Sequence, residues 1–196
     1  MKVSKSPRGV TMILSREEIL ESIRKGDILI QPFIKENVGP CSVDLRLADE
    51  FVMFKSGEII DPMEPQSLKK AMKIVKTGGK PLLLEPKQFV LALTIERIGL
   101  SRGLAATLEG RSSVARLGIV VHAAGLVSPG SGSITPKPLV LEIFSQNNSP
   151  VKLYPGMRIV QIIFHRLSKP TVVGYDEYPK SSYAKRNVWI CDKAFP

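Results

Sequence analysis

The sequence predicts a mainly β protein, built as a sandwich or a barrel. Short apolar stretches recur along the chain, and glycine or proline residues separate them. Several of these stretches alternate polar and apolar residues with a period of two, as residues 42–47 do (SVDLRL). Many short alternating segments between turn residues are typical of antiparallel sandwiches and barrels. The length of 196 residues fits one compact domain.

Two helices are expected among the strands. The first spans residues 15–25, because Ser15 and Glu18 have the spacing of a capping box and Gly26 follows as a stop signal. The second is expected at residues 67–76, where apolar residues recur at helical spacing.

The strands are expected in a regular series between these helices and the tail. Residues 1–168 are predicted to form the β domain, and residues 169–196 a polar, basic arm for which closure over a site is one open role. The predicted strands are residues 28–30, 43–47, 51–54, 82–84, 89–95, 104–108, 119–121, 139–144 and 158–164.

The composition excludes several classes of protein. No apolar run approaches the ~18–20 residues of a membrane helix, and no apolar signal segment follows the basic start. We therefore expect a cytoplasmic protein with no membrane partner. The two cysteines form no C-x-x-C pair, and neither His122 nor His165 begins an H-x-E segment. The zinc site of the zinc-dependent nucleoside deaminases is therefore absent, and no metal ligands are expected.

The net charge of +10 favours a phosphate-bearing partner, although a solvated basic surface would have the same charge. The sequence contains no Lys/Arg-rich run with interleaved aromatic residues. Specific binding to a nucleic acid is therefore not expected.

The segment with the clearest chemistry is residues 110–118, with the sequence GRSSVARLG. Its leading glycine permits a sharp exit from a strand, and Ser112 and Ser113 stand where a helix would start. A serine-rich helix start beside Arg111 suits phosphate. Ser112 and Arg116 are four residues apart and would face the same way, so one turn can address two parts of a ligand. An ordinary capped surface turn would have the same sequence.

Two strands each carry one notable polar residue. Glu142 interrupts an otherwise apolar strand, so its carboxylate is either buried and paired, buried and catalytic, or on the solvent face of a half-buried strand. Gln161 lies among apolar residues in the strand predicted at 158–164, where a structural role is the default.

Together these segments resemble the dCTP deaminase branch of the dUTPase superfamily. Residues 42–47 resemble its first motif, and residues 110–118 resemble its R-S-S-x-A-R-L-G signature. Residues 140–142 resemble the strand that bears the deaminase glutamate, and residues 155–161 resemble the penultimate strand. The resemblance implies a distorted jelly roll or β-barrel of the dUTPase type, assembled as a homotrimer with active sites at subunit interfaces.

The resemblance also implies a reaction, the hydrolytic, metal-free deamination of dCTP to dUTP and ammonia. Glu142 would shuttle protons, and Ser112 and Arg116 would position the water, the base and the carboxylate. Magnesium would enter only with the triphosphate, and dUTP or dTTP are further candidate ligands. The implied substrate contacts are Arg111, Ser113, Val114, Ala115, Ser128, Val140, Leu141, Gln161, Tyr175 and Arg186.

The chain departs from the family pattern after His122. Ser128 stands where the deaminases have an aspartate that serves the deoxyribose, and residues 132–138 extend the loop. Two alternatives therefore stay open. One is a dUTP diphosphatase or a bifunctional, dUMP-forming dCTP deaminase, and the other is a nucleotide-binding relative without catalysis.

Overall fold

A computed structural model describes residues 12–122 and 124–179. The helices in this part of the chain are α1 (Arg16–Lys25), the 3-10 helix η1 (Lys35–Asn37), α2 (Pro65–Ala71) and α3 (Ser112–Ala115). The strands are β1 (Met12–Ile13), β2 (Ile28–Gln31), β3 (Val43–Phe54), β4 (Met72–Lys76), β5 (Leu82–Leu84), β6 (Phe89–Leu100), β7 (Leu104–Gly110), β8 (Ile119–His122), β9 (Leu126–Val127), β10 (Lys137–Ser145), β11 (Val151–Leu153) and β12 (Arg158–Arg166).

One curled sheet contains ten of these strands. Its path runs β8-β10-β6-β3-β12-β7-β9, while β1, β2 and β4 pair with β12, β6 and β3, and β11 and β5 form a separate pair. The curl brings β7 and β8 close together. A Cβ added to Gly110 on β7 would lie 3.6 Å from the carbonyl oxygen of Val121 on β8. The expectation of a mainly β, barrel-type fold is therefore confirmed.

The first predicted helix is confirmed as α1. Ser15 is its N-cap, and the reciprocal bonds of the capping box with Glu18 are both present. Gly26 ends the helix in the left-handed conformation with φ 80°, which glycine adopts without steric cost. Ile19, fully buried, joins the helix to the core.

The second predicted helix is only partly correct. Helix α2 ends at Ala71, and residues 72–76 instead form β4, which pairs with the edge of β3. The backbone of Met72 is already extended (φ −80°, ψ 142°). The β-branched Ile74 and Val75 favour a strand, and β3 offers backbone partners that one more helical turn would not gain. The two strands predicted at residues 43–47 and 51–54 are one strand, β3, with a register irregularity between Leu47 and Phe51.

The hydrophobic core lies on the inner face of the curled sheet. Alternate residues of the long strands point into it, in agreement with the period-two pattern. Its largest fully buried side chains include Leu45, Leu47, Phe51, Leu141 and Phe164. The opposite face of the same strands is therefore left for polar and functional side chains.

The first part of the predicted C-terminal arm packs against the domain. The Tyr175 N–H donates to the Pro129 carbonyl oxygen at 2.8 Å. Arg102 Nη2 donates to Glu177 Oε1 at 2.6 Å. Residues 180–196 lie outside the described residues, so the extent of the arm and its closure over a site stay predictions.

Candidate active site

The serine-rich turn is a single short helix at the end of β7. Arg111 is its N-cap residue, with extended backbone (φ −77°, ψ 137°) and no capping side-chain bond. The Arg111 carbonyl accepts hydrogen bonds from the N–H groups of Val114 and Ala115, each at 2.9 Å. Ser112 and Ser113 are therefore the first two residues of the helix, which agrees with the helix start expected there, and Arg111 is the residue that precedes them as N-cap.

The helix divides its side chains between the core and the surface. Val114 is 4% exposed and belongs to the core, so any contact it makes with a ligand is restricted to its backbone. Ser112, Ser113, Ala115 and Arg116 are exposed. The Arg116 N–H donates to the Ser112 carbonyl at 3.1 Å, which places these two residues one turn apart as predicted. Within residues 12–122 and 124–179, the polar side chains on this exposed face make no hydrogen bond or ion pair.

Arg111 points toward β3 and β12 instead. Its Nε lies 3.0 Å from Asp44 Oδ1, and its Nη1 donates to the Arg158 carbonyl oxygen at 3.4 Å. The Arg158 guanidinium contacts the other carboxylate oxygen of Asp44, with Nη1 3.3 Å from Oδ2. Asp44 and Arg158 were not singled out from the sequence, although Asp44 occupies a polar position of the alternating segment at residues 42–47.

Gln161 lies beside this ion-pair cluster. It is the register partner of Asp44 across the β3–β12 pair, and it is partly buried. Ser42 Oγ donates to Gln161 Oε1 at 3.1 Å. This bond occupies the amide oxygen and leaves the amide N–H groups as donors for a ligand.

Glu142 lies on the outward face of β10 and is half-buried. Its Oε2 accepts a hydrogen bond from the Ala124 N–H at 3.3 Å, and His122 is its register partner on β8. Burial raises the pKa of the Glu142 carboxyl above its usual value, while the Ala124 N–H and the His122 imidazole oppose that rise. Of the three alternatives that the sequence left open, the structure therefore agrees with the outward face of a half-buried strand, because Leu141 and Ile143 on either side of Glu142 are fully buried. Among the described residues, no ion pair neutralises the Glu142 carboxylate.

The two residues before Glu142 alternate in direction. Val140 faces outward and is partly buried, opposite Leu93 of β6. Leu141 has no exposed surface and packs in the core. Its side chain cannot contact a ligand on the outer face, so a substrate contact through Leu141 is restricted to the backbone.

The loop that contains Ser128 and is extended by residues 132–138 lies apart from both the serine helix and Glu142 in the sequence. Ser128 is partly buried, and its carbonyl accepts from the Ser131 N–H at 3.1 Å. Tyr175 reaches this loop through its bond to Pro129. Arg186 lies outside the described residues.

One chain brings some of these residues together and keeps others apart. Strand β8 links the serine helix to Glu142, because Val121 lies next to Gly110 while its neighbour His122 pairs with Glu142. Between residues 12–122 and 124–179, however, no hydrogen bond or ion pair joins Glu142 to the side chain of Ser112 or Arg116. The predicted roles of these residues stay predictions.

The structure also reveals a buried ion pair that the sequence did not indicate. Glu96 is 2% exposed, and its carboxylate accepts from both the backbone N–H and the Nε of Arg46, at 2.8 and 2.7 Å. The pair joins β6 to β3 at the register irregularity near Leu47. The only signal in the sequence was a charged residue at an inward-facing position of an alternating strand.

Within the described ranges, no three His, Cys, Asp or Glu residues are grouped so that they could hold a metal ion. No helix of the same ranges is long and apolar enough to cross a membrane. The expectation that magnesium enters with a triphosphate stays a prediction.

Comparison with known proteins identifies the family. The family model described as dCTP deaminase-like matches residues 13–167. The chain belongs to this family. A relative from Dictyoglomus thermophilum, named dCTP deaminase, dUMP-forming, is 44% identical over 198 residues, covering 93% of this chain and 98% of its own. A second dCTP deaminase-like relative, the dCTP deaminase of Thermomicrobium roseum, is 41% identical over 180 residues, covering 88% of this chain and 89% of its own.

A solved structure agrees with this assignment at the level of the fold. The crystal structure of 2'-deoxycytidine 5'-triphosphate deaminase from Agrobacterium tumefaciens superposes with a TM-score of 0.61 at 22% sequence identity. The match covers 80% of this chain and 47% of that chain, so this chain spans about half the length of that protein. The resemblance to the dCTP deaminase family is confirmed.

Proposed function

We propose that this protein catalyses the hydrolytic deamination of dCTP to dUTP and ammonia, with Glu142 as the proton shuttle. The observation that carries the proposal is the half-buried Glu142 carboxylate, whose pKa is raised by burial and whose charge no ion pair neutralises among the described residues. A group that must both accept and donate protons works best when its pKa lies nearer the working pH. Membership of the dCTP deaminase-like family supports the choice of reaction.

The proposed chemistry uses one water molecule for each dCTP. Water attacks C4 of cytosine while Glu142 removes a proton from it, and the protonated Glu142 then donates to N3. A second proton passes from the new hydroxyl through Glu142 to the amino group. The C4–N bond breaks, ammonia leaves, and C4 keeps the oxygen as the carbonyl of uracil.

The serine helix supplies the other proposed contacts. Ser112 and Arg116 would position the water, the base and the Glu142 carboxylate, while Arg111 and Ser113 would contact the phosphates. The side chains of Ser112, Ser113 and Arg116 are exposed and make no hydrogen bond or ion pair among the described residues, so they are available to a ligand. The other proposed contacts with the nucleotide come from Val114, Ala115, Ser128, Val140, Leu141, Gln161, Tyr175 and Arg186.

A homotrimer with interface active sites is part of the proposal. In one chain, the described residues show no bond between Glu142 and the side chains of the serine helix, so a second subunit would complete the site. Apolar side chains lie beside Glu142 on the outer face of the sheet. Val120, Phe144 and Phe89 are register neighbours on three adjacent strands and are 39, 36 and 40% exposed. Such a row supports coverage by another subunit.

A second candidate is the bifunctional reaction that converts dCTP to dUMP. The dUMP-forming name of the Dictyoglomus thermophilum relative favours it. In this reaction a second water attacks the triphosphate and releases pyrophosphate, and magnesium enters as the counterion of the triphosphate. We also propose that the protein is cytoplasmic. The same site is proposed to accept dUTP or dTTP as further ligands.

Product analysis tests these proposals. The purified protein is incubated with dCTP and magnesium, and separately with dUTP and magnesium, and the nucleotides are separated by anion-exchange chromatography. Accumulation of dUTP and ammonia from dCTP supports the simple deaminase. Formation of dUMP and pyrophosphate from dCTP supports the bifunctional enzyme. Binding of dCTP without any product would refute both and leave the non-catalytic nucleotide-binding relative.

A further inference from the structure

We propose that Arg158 is an additional triphosphate-binding residue, and that Asp44 is the positioning residue that holds Arg158 and Arg111 in place for the phosphates. This inference rests on the proposed function, because it concerns the phosphate end of the same nucleotide. It adds two residues to the site and gives Arg111 a fixed geometry.

The geometry consists of one carboxylate shared by two guanidinium groups. Asp44 Oδ1 contacts Arg111 Nε at 3.0 Å, and Asp44 Oδ2 contacts Arg158 Nη1 at 3.3 Å. The Arg111 side chain also donates to the Arg158 backbone at 3.4 Å. Three strands or strand ends, at residues 44, 111 and 158, therefore hold the two cations at one place on the outer face.

The charge of this cluster favours an anion. Two guanidinium groups share one carboxylate, so the cluster keeps one positive charge in excess. On the neighbouring strand β7, Glu109 is the register partner of Gln161 and is exposed. Among the described residues, Glu109 forms no ion pair with either arginine. An excess cation next to the proposed substrate helix supports phosphate binding.

Exposure and donor number support binding by Arg158. The Arg158 side chain is 50% exposed, whereas Arg111 and Asp44 are 26% and 16% exposed. Each guanidinium carries five N–H donors, and the ion pairs use only a few of them. The remaining N–H groups can bind a phosphate in the bidentate geometry that arginine prefers.

Asp44 matters because a fixed guanidinium loses less conformational freedom on binding than a mobile one. A carboxylate near a phosphate site would by simple Coulomb repulsion weaken the binding of an anion. If repulsion dominated, removal of the Asp44 charge would strengthen phosphate binding. If Asp44 positions the arginines, its removal weakens phosphate binding. The two explanations therefore differ in sign, which makes Asp44→Asn a decisive variant.

The experiment measures binding in a Glu142→Gln background, so that turnover does not deplete the ligand. Calorimetry determines the affinity for dCTP with magnesium and for deoxycytidine, which lacks phosphates. Asp44→Asn and Arg158→Gln are each expected to weaken dCTP binding about tenfold or more, and Arg158→Lys by less. The affinity for deoxycytidine is expected to stay unchanged. Glu58→Gln is the matched control, since it removes a carboxylate that pairs with Lys70 away from this cluster.

The outcomes separate this inference from the proposed function. Stronger or unchanged dCTP binding by Asp44→Asn would overturn the positioning role, and unchanged binding by Arg158→Gln would overturn the phosphate contact. Arg158 is half exposed, so its substitution provides a test even where Asp44→Asn lowers the folding stability. If the parent protein binds dCTP tightly but never deaminates it, the proposed function fails while this inference stands. If the parent binds no triphosphate, both fail.

Discussion

Glu142 lies directly opposite His122 across the β8–β10 strand pair, and its carboxylate is held by the Ala124 N–H just beyond the end of β8. The short strand β8 therefore begins just after the serine helix and ends beside the half-buried Glu142. This arrangement gives Glu142 a defined position before any ligand arrives. Burial raises the pKa of its carboxyl, and the Ala124 N–H and His122 oppose that rise.

Glu142→Gln is expected to lower kcat for dCTP deamination by about 10²–10⁴-fold, the usual contribution of general acid–base catalysis. The glutamine keeps the size and the hydrogen-bond acceptor of the side chain but cannot shuttle protons. The dissociation constant for dCTP is expected to change little. Steady-state kinetics and calorimetry check this, with the exposed Glu36→Gln as control. Parental turnover by Glu142→Gln would remove Glu142 from the mechanism.

The pKa of Glu142 can be measured directly in the free protein. Because burial raises it, the carboxyl is expected to titrate above 4.5, the value of an unperturbed glutamate. NMR of protein with 13C-labelled glutamate carboxyls gives the titration curve. The signal that disappears in Glu142→Gln identifies the residue. Because the protein is free of ligand, no titration of a nucleotide interferes. A midpoint at or below 4.5 would contradict the raised pKa.

The same shift predicts how stability depends on pH. A carboxyl whose pKa is raised by folding contributes its stability below the unfolded pKa and loses it as pH rises through the folded pKa. Above that pH the parent protein contains a partly desolvated charge, which Glu142→Gln lacks. The gain in unfolding free energy on Glu142→Gln is thus expected to be larger at pH 8 than at pH 4. Denaturant unfolding at both pH values measures it, and an equal or reversed difference would argue against desolvation as the cause.

Much of the fold was predictable because its signals are local. The capping box of Ser15 and Glu18 defines α1, and the period-two patterns define most strands. Residues 72–76 were assigned wrongly, because pairing with the distant β3 decides their conformation and their own spacing does not show it.

The site was predictable only in part, for a similar reason. Single polar residues in apolar strands pointed to Glu142 and Gln161, but the partners of such residues depend on strand register. Arg111, Asp44 and Arg158 are far apart in sequence and meet only through the β3–β12 and β7–β12 pairs. The packing of Tyr175 on the extended loop likewise required the folded chain.

The buried pair of Glu96 and Arg46 is expected to be important for stability. Glu96→Ala would leave the Arg46 N–H without its acceptor and the guanidinium without its partner, at a cost of about 3–5 kcal/mol in unfolding free energy. The exposed Glu109→Ala on the adjacent part of the sheet is the control and should cost well under half as much. Denaturant unfolding measures both variants. A loss below about 1 kcal/mol for Glu96→Ala would show that the pair contributes little.

The contact between the extended loop and the tail can be tested at one glycine. Gly130 has φ +77°, and a Cβ there would lie 2.5 Å from the Gly174 Cα atom. Gly130→Ala is therefore expected to displace residues 171–177 and to raise amide hydrogen exchange in them. Gly125→Ala is the matched control, since Gly125 has a similar φ of +67° but open space around its Cβ position. Equal exchange in the two variants would indicate backbone strain alone.

The central claim is that water attacks C4 of the cytosine ring. The direct measurement incubates the protein with dCTP labelled with 15N on the amino group, in water enriched in 18O, and follows both isotopes by mass spectrometry. We expect the 15N label in ammonia and one 18O atom on the uracil ring of the nucleotide product. If the 15N label stays on the nucleotide, or 18O enters only the phosphates, the assignment of deamination to this site is wrong.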